Sequence, residues 1–176
     1  IPKMIVHVQS ETEVRLVSAF NGDMDRWEIA KVKARIPRIA LNEFVGQESF
    51  IIQMQSMFLD TPDKAIVMQV AGNVEDKTVM NYGDDGVTQK ATIKSGLASM
   101  EDVLVPNPVK LQPFRTFHEI SQPEISFVFR MKNSQSGVSC ALFEADGGAW
   151  KFNAVHSIAE YLKQELEGVE NVAVLS

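Results

Sequence analysis

The 176-residue sequence has little of what extracellular and membrane proteins need. Cys140 is its one cysteine, which excludes a disulfide within the chain and is typical of a reducing compartment. No apolar run approaches the roughly 20 residues of a membrane-spanning helix, and no signal peptide is visible. Positive charge is also scarce, because 17 Lys and Arg residues stand against 23 Asp and Glu residues. The net charge of −6 disfavours indiscriminate binding to nucleic acid or to an anionic membrane.

The sequence also lacks recognisable catalytic motifs. It has no phosphate-binding GxxxxGK loop and no GxSxG nucleophile elbow. His7, His118 and His156 do not have the spacing of metal ligands. Cys140 stands in the apolar segment VSCAL, where a buried, unreactive thiol is expected more than a nucleophile. We therefore predict no catalytic residue, no cofactor and no enzymatic activity.

What remains is the composition of an ordinary globular protein. Hydrophobic residues make up 45% of the chain and charged residues 23%. The length fits one domain, spanning residues 1–176, with ample material for a core. Because the sequence starts at Ile1 and not at Met, we expect a processed product or a piece of a longer chain.

The segment from Lys77 to Lys94 predicts a β-hairpin around which the chain is organised. Its turn, from Asn81 to Gly86, is rich in glycine and aspartate. Both residue types tolerate a left-handed backbone, and aspartate side chains can hydrogen-bond the backbone of a tight loop. The second arm alternates between two faces. A mostly apolar face carries Val87, Gln89, Ala91 and Ile93, and a polar face carries Thr88, Lys90, Thr92 and Lys94.

The turn also spells a polymerase signature, YGDD, at residues 82–85. In viral RNA polymerases such a turn presents aspartates to magnesium, but that chemistry needs a further carboxylate and a much larger fold. We therefore expect residues 82–85 to match the signature only because these residue types favour a tight turn. If the turns of two hairpins met, Asp84, Asp85 and Asp146 could form a divalent-ion site, although turn aspartates more often bond their own backbone.

The remaining periodicity predicts an α+β fold, with an antiparallel sheet of at least five strands, two helices in the first half and a C-terminal helix. Thr61-Pro62-Asp63 is a helix start of the kind that combines an N-cap, a first-turn proline and an acidic residue. The predicted strands are 4–8, 14–20, 27–36, 109–119, 124–132 and 138–144, with 169–175 as a strand or a tail. Residues 96–102 are predicted to be a polar connector. The predicted helices start near residue 49, run over 62–74, and run over 153–167.

The strand from Trp27 to Ile36 is the most basic part of the sequence. Lys31, Lys33 and Arg35 share one of its faces. One hypothesis is a cationic face that contacts phosphates. The other is a solvated edge strand that lysines protect from aggregation.

A second stretch combines aromatic and basic residues over two predicted strands. Arg115 and Arg130 lie there among four phenylalanines, an arrangement that can bind single-stranded nucleic acid by stacking and phosphate contacts. Alternatively, the phenylalanines form core. They are Phe114, Phe117, Phe127 and Phe129, with Lys110 and Lys132 as further cations.

Parts of the chain resemble the YfdQ-like family of phage and prophage proteins. The resemblance covers roughly residues 45–167 and is carried by QESF at 47–50, VPNPVKLQPFRTF at 105–117, FVFRM at 127–131 and ALFEADGGAWKFNAVHSIAEYL at 141–162. It implies a phage origin and a host-cytoplasm setting. The family has no established activity, so the resemblance implies no reaction and no functional residue.

These observations predict a non-enzymatic phage protein that acts by binding. We expect a homo-oligomer formed through strand edges or methionine-rich helices, with no membrane partner. The favoured role is in phage DNA metabolism, with single-stranded DNA contacted by Lys31, Lys33, Arg35, Arg115 and Arg130. The alternatives are an inhibitor or modulator of a host protein and a structural virion or assembly component.

Overall fold

A computed structural model describes residues 3–74, 83–84, 88–94 and 100–176. It confirms the predicted α+β class, with mainly antiparallel strands, two helices in the first half and one near the C-terminus. The described residues divide into two compact units. Unit 1 lies within Ile1–Pro37, Phe114–Pro123 and Ala149–Ser176, and unit 2 within Arg38–Pro113 and Glu124–Gly148. That the units make up one domain stays a prediction.

Unit 1 is a mixed sheet with one long helix. The elements are β1 (Met4–Ser10), β2 (Glu13–Ser18), β3 (Glu28–Lys33), α3 (Ala149–Glu165) and β11 (Val172–Leu175). The described strands lie in the order β11-β1-β2-β3, and all neighbours are antiparallel except the parallel pair β1 and β11. The helix α3 contacts β1 and β11.

The core of unit 1 forms where α3 covers the sheet. Ile158 and Ala159, one helical stripe, are buried together with Val8 of β1. Gly168 follows with a φ of 83°, a left-handed conformation that suits glycine after a helix. The predicted C-terminal helix, its stop and a final strand are therefore all present.

The segment 114–123 of unit 1 is fixed by one buried amide. Gln122 Oε1 accepts hydrogen bonds from the backbone N–H groups of Arg115 (2.8 Å) and Thr116 (3.2 Å), and Gln122 Nε2 donates to the Phe117 carbonyl (3.0 Å). Thr116 Oγ1 in turn donates to the Glu11 carbonyl at 2.5 Å. Because these backbone groups are bonded without a strand ladder, the segment is an ordered loop.

Unit 2 combines two helices with two sheets among the described strands. The helices are α1 (Gln47–Met57) and α2 (Pro62–Asn73), and Thr61 caps α2 by accepting the Lys64 N–H at 3.1 Å, as predicted. The strands are β4 (Val45–Gly46), β5 (Gly83–Asp84), β6 (Thr88–Lys94), β7 (Met100–Pro106), β8 (Val109–Leu111), β9 (Ile125–Ser134) and β10 (Gly137–Glu144). The sheet orders are β4-β10-β9-β8 and β5-β6-β7.

Phenylalanines form the centre of unit 2. Phe127 and Phe129, on one face of β9, are fully buried. The Phe50 ring of α1 lies 5.6 Å from the Phe129 ring, and the Phe58 ring lies 6.4 Å from the Phe127 ring. Such aromatic pairs add to the hydrophobic stabilisation. Phe127 and Phe129 are therefore core residues, as the alternative to nucleic-acid binding predicts for these strands.

Several predicted boundaries are wrong, and α3, predicted from about Asn153, begins at Ala149. The strand predicted over 109–119 ends at Leu111, because the chain passes Pro113 and enters unit 1 as the Gln122-bound loop. Met100–Pro106 is strand β7, so the predicted connector 96–102 is strand from Met100 onward; β7 is terminal in its sheet, where Pro106 is tolerated. Gly83 and Asp84, predicted in the turn, pair with β6. The rest of the predicted turn and the arm from residue 77 lie outside the described residues.

None of the helices in the described ranges is both long and apolar enough to cross a membrane.

Candidate nucleic-acid interface

The strand β3 is the most exposed element of unit 1. It is last in its sheet, and no strand in the described ranges pairs with its outer side. All six residues, Glu28–Lys33, are exposed. A strand in this position presents unpaired backbone groups on one side and side chains on both faces.

Basic residues are concentrated on and beside this strand. Residues 26–35 contain four of the 17 Lys and Arg residues of the chain and only one of its 23 acidic residues. Lys31, Lys33 and Arg35 are all exposed, as the cationic-face hypothesis requires. In this acidic protein the local excess of positive charge is the feature most favourable to phosphate binding.

One carboxylate contacts both lysines of β3 and a neighbouring arginine. Glu13 of β2 accepts a hydrogen bond from Arg15 Nε at 2.6 Å, and the Nζ atoms of Lys31 and Lys33 lie 3.5 Å from its oxygens. Arg15 also contacts Glu28 at 3.3 Å. We call these five residues, Glu13, Arg15, Glu28, Lys31 and Lys33, the charged face. The hydrogen bond from Arg15, followed by the positive charges of Arg15 and both lysines, lowers the pKa of Glu13.

Exposed aromatic residues lie at the other end of β3. The Arg26 guanidinium lies 3.9 Å from the centroid of the Phe20 ring, and Arg26 also donates to the Ser18 carbonyl at 2.9 Å. Phe20 is 55% exposed and Trp27, which directly precedes β3, is 71% exposed. Large aromatic side chains are rarely left so exposed, and they can stack on a nucleobase or anchor a protein partner.

An apolar pocket of about 210 Å³ opens on the opposite face of β3 from the lysines. Val14 and Val32 of the sheet form one wall, and Tyr161 and Leu162 of α3 form another. The Gln122-bound loop also lines the pocket, with three of its residues. These are Phe117, Ile120 and Glu119.

Two predicted nucleic-acid contacts lie elsewhere. Arg115 is in unit 1, half-buried, with its guanidinium 4.0 Å from the centroid of the Trp150 ring. Arg130 is in unit 2, where its Nη1 donates to the Phe129 carbonyl at 3.1 Å. Among the predicted residues the structure therefore brings together Lys31, Lys33 and Arg35. A role in nucleic-acid binding for Arg115 and Arg130 stays a prediction.

The predicted metal ligands form no described cluster. Asp146 accepts the Gly148 N–H at 3.0 Å, which is the backbone bond expected of a turn aspartate. Asp84 is placed in β5, and Asp85 lies outside the described residues. Within the described ranges, no three His, Cys, Asp or Glu side chains form a group that could hold a metal ion. The site with Asp85 stays a prediction.

Cys140 is buried, as predicted. Burial raises the pKa of its thiol to about 12, so the thiol is protonated at neutral pH. Since the thiolate is the nucleophile, this environment suits a core residue more than a catalytic one.

Sequence reasoning missed Glu13, the Phe20–Arg26 pair and the pocket. Trp27 and Arg26 carried a usable signal, because an aromatic residue beside a cation directly precedes the basic strand. The pairing of Glu13 with the lysines depends on strand register. The pocket depends on a loop that is distant in sequence.

No protein-family model, no curated protein and no solved structure matches the chain.

Proposed function

We propose that this protein acts by binding and that its ligand is single-stranded nucleic acid, held along β3 in unit 1. The supporting observation is the exposed run of cations Lys31, Lys33 and Arg35 with the Phe20–Arg26 pair near the other end of the strand. Proteins that bind single-stranded nucleic acid without preference for its base sequence combine cations along the phosphate backbone with aromatic side chains on which the bases stack.

The geometry of β3 suits a flexible, extended ligand. Lys31 and Lys33 are two residues apart, so their Cα atoms lie about 7 Å apart on one face of the strand. Duplex recognition would instead require a helix or ribbon that fits a groove. The phage setting, the host cytoplasm and the role in phage DNA metabolism rest on the resemblance to the YfdQ-like family and are part of this proposal.

Charge-matched variants test the proposal. We would measure the fluorescence anisotropy of a labelled single-stranded oligonucleotide at several salt concentrations. The double variant Lys31→Ala/Lys33→Ala is expected to weaken binding and to reduce its salt dependence. Lys151→Ala/Lys163→Ala removes the same charge from exposed sites on α3 and is the control. Equal losses in the two double variants, or no binding by the unmodified protein, would refute the proposal.

A second candidate function is binding to a host protein, as an inhibitor or modulator. It is supported by the exposed large apolar side chains on and around β3, since apolar surface of this kind marks interaction sites. They are Phe20, Met24, Trp27, Ile29, Val32 and Ile36. A virion or assembly role draws on the same surface. If the protein does not bind the oligonucleotide but is found in purified particles, the virion role replaces the nucleic-acid proposal.

A further inference from the structure

The outer edge of β3 offers backbone hydrogen bonds at Lys31 and Lys33. The Ala34 N–H donates to the Thr12 carbonyl at 2.9 Å, so the backbone at Ala34 points towards β2. Along a strand this direction alternates, and in an antiparallel pair only alternate residues exchange hydrogen bonds. The N–H and C=O groups of Lys31 and Lys33 therefore point away from β2. In the described part of the chain no strand receives them.

A β-bulge in β3 determines on which face of the sheet the side chains before it lie. Leu16 pairs with Ala30 and the adjacent Val17 pairs with Glu28, which leaves Ile29 as the extra residue. Glu28 is therefore on the face of Lys31, where its carboxylate meets Arg15.

Trp27 is placed on the pocket side by the same bulge. Its backbone N–H donates to Ser18 Oγ and its carbonyl accepts the Ser18 N–H, both at 2.9 Å. Ser18 shares a sheet face with Val14, which lines the pocket, because the two are four positions apart in one strand. One end of β3 thus carries an exposed indole and the other end, at Val32, borders an apolar pocket.

We propose that β3 pairs with β3 of a second copy of this chain, antiparallel and centred on Ala30. In that pairing, with Ile29 of each copy as the extra residue, Glu28 of each copy comes beside Lys31 of the other, and Trp27 of each copy comes beside Val32 of the other, next to the pocket. An antiparallel pair about a two-fold axis makes both contacts twice. Lys31 of each copy then lies opposite the Glu28 carboxylate of the other, and this charge complementarity favours a second copy as the partner.

The pocket is suited to an aromatic side chain. An apolar cavity of about 150 Å³ binds benzene in another protein, and the space here is about 210 Å³. A buried indole N–H is usually hydrogen-bonded, and Glu119, which lines the pocket, is the acceptor we expect for it. This inference goes beyond the proposed function, because the assembly needs no nucleic acid.

Self-association without nucleic acid tests the inference. Sedimentation velocity over a concentration series is expected to show a monomer–dimer equilibrium. Trp27→Ala is expected to weaken dimerisation by about 30-fold or more, as for a tryptophan that fills a pocket of its partner. Phe152→Ala, which removes a residue that is 82% exposed on α3, is the control and should leave dimerisation unchanged.

The backbone contact has its own matched pair of variants. Lys31→Pro removes an outward N–H and should weaken the dimer, whereas Lys31→Ala keeps that N–H and should weaken it much less. Dilution should also shift the fluorescence of Trp27 towards that of an exposed indole, with Trp27→Phe reporting Trp150 alone. A monomer at high concentration, or a dimer that resists both Trp27→Ala and Lys31→Pro, would overturn the inference. Because oligonucleotide binding is assayed separately, failure here leaves the proposed function standing.

Discussion

Replacing Glu13 by glutamine should strengthen the binding of single-stranded nucleic acid. In the free protein Glu13 accepts a hydrogen bond from Arg15 and lies within 3.5 Å of the Nζ atoms of Lys31 and Lys33. Phosphates must compete with this carboxylate for all three cations. The substitution removes the negative charge and keeps a side chain of the same shape, so it releases the cations without removing any of them.

The size of the effect follows from the number of cations. Each phosphate contact on a single strand contributes roughly −0.7 to the slope of log affinity against log salt. Contacts by Lys31, Lys33 and Arg35 give a slope of about −2, or about a 20-fold loss of affinity between roughly 50 and 200 mM salt. Adding Arg15 in Glu13→Gln makes the slope about −2.8 and raises the affinity most at low salt.

The lowered pKa of Glu13 means that, at neutral pH, wild-type protein and Glu13→Gln differ by one full charge at this position. Its pKa is lowered, first by the hydrogen bond from Arg15, so the wild-type carboxylate is ionised throughout the neutral range. A carboxylate with a lowered pKa stabilises the folded state above the unfolded-state pKa, and this stabilisation is lost as the pH falls through the folded-state pKa. Measurements at pH 7 therefore compare a fully charged residue with a neutral one.

The assay is a salt titration of oligonucleotide anisotropy, with Glu160→Gln as the control. Glu160 is another carboxylate of unit 1 that pairs with a lysine, Lys163, at 2.8 Å, but it lies on α3. A general effect of net charge would raise affinity equally in both variants. Unchanged or weaker binding in Glu13→Gln would refute the assignment of the charged face as the phosphate site.

Three further predictions concern stability and reactivity. Gln122→Leu removes the acceptor for two backbone N–H groups and should cost about 2–5 kcal/mol of unfolding free energy in urea, whereas Gln164→Leu, at an exposed position, should cost little. Phe50→Ala should cost about 3–5 kcal/mol because the ring is buried, and Phe152→Ala should be near neutral. The Cys140 thiol has a pKa of about 12 in the fold against 9.0 unperturbed, so iodoacetamide at pH 8.5 should label it only in denaturant. Between these pKa values the unfolded state loses the proton first, so stability should fall with rising pH more steeply than in Cys140→Ala.

Local sequence signals predicted most of the individual elements. The N-cap and proline at Thr61 and Pro62 fixed the start of α2, because capping involves only adjacent residues. Alternation predicted β9 and β10 as a hairpin, and the three- and four-residue spacing of apolar residues predicted α3. In each case the deciding interaction lies within one or two turns or across one hairpin.

The division into two units could not be predicted in this way. The chain leaves unit 1 after Pro37, returns for Phe114–Pro123 and returns again at Ala149. Residues 109–119 look like one proline-bounded strand, but Leu111 ends β8 and Gln122 organises the following loop through backbone hydrogen bonds. The surface that a short segment covers depends on contacts with residues distant in sequence. The hydrophobic periodicity of the segment gives no information about those contacts.

The candidate interface shows the same limit at the scale of one residue. Simple alternation along Glu28–Lys33 puts Glu28 on the face of Val32, away from Lys31. The extra residue Ile29 reverses that assignment, and the acidic residue joins the charged face. If Ile29 were paired like its neighbours, with no bulge, Trp27 would lie with the lysines and the pocket side would have no aromatic neighbour. Deleting Ile29 removes only the extra residue, so Glu28 should stay opposite Val17, Trp27 should stay on the pocket side, and the self-association that depends on Trp27 should persist. A monomeric deletion variant that keeps its fold would contradict the assignment of Ile29 as the extra residue.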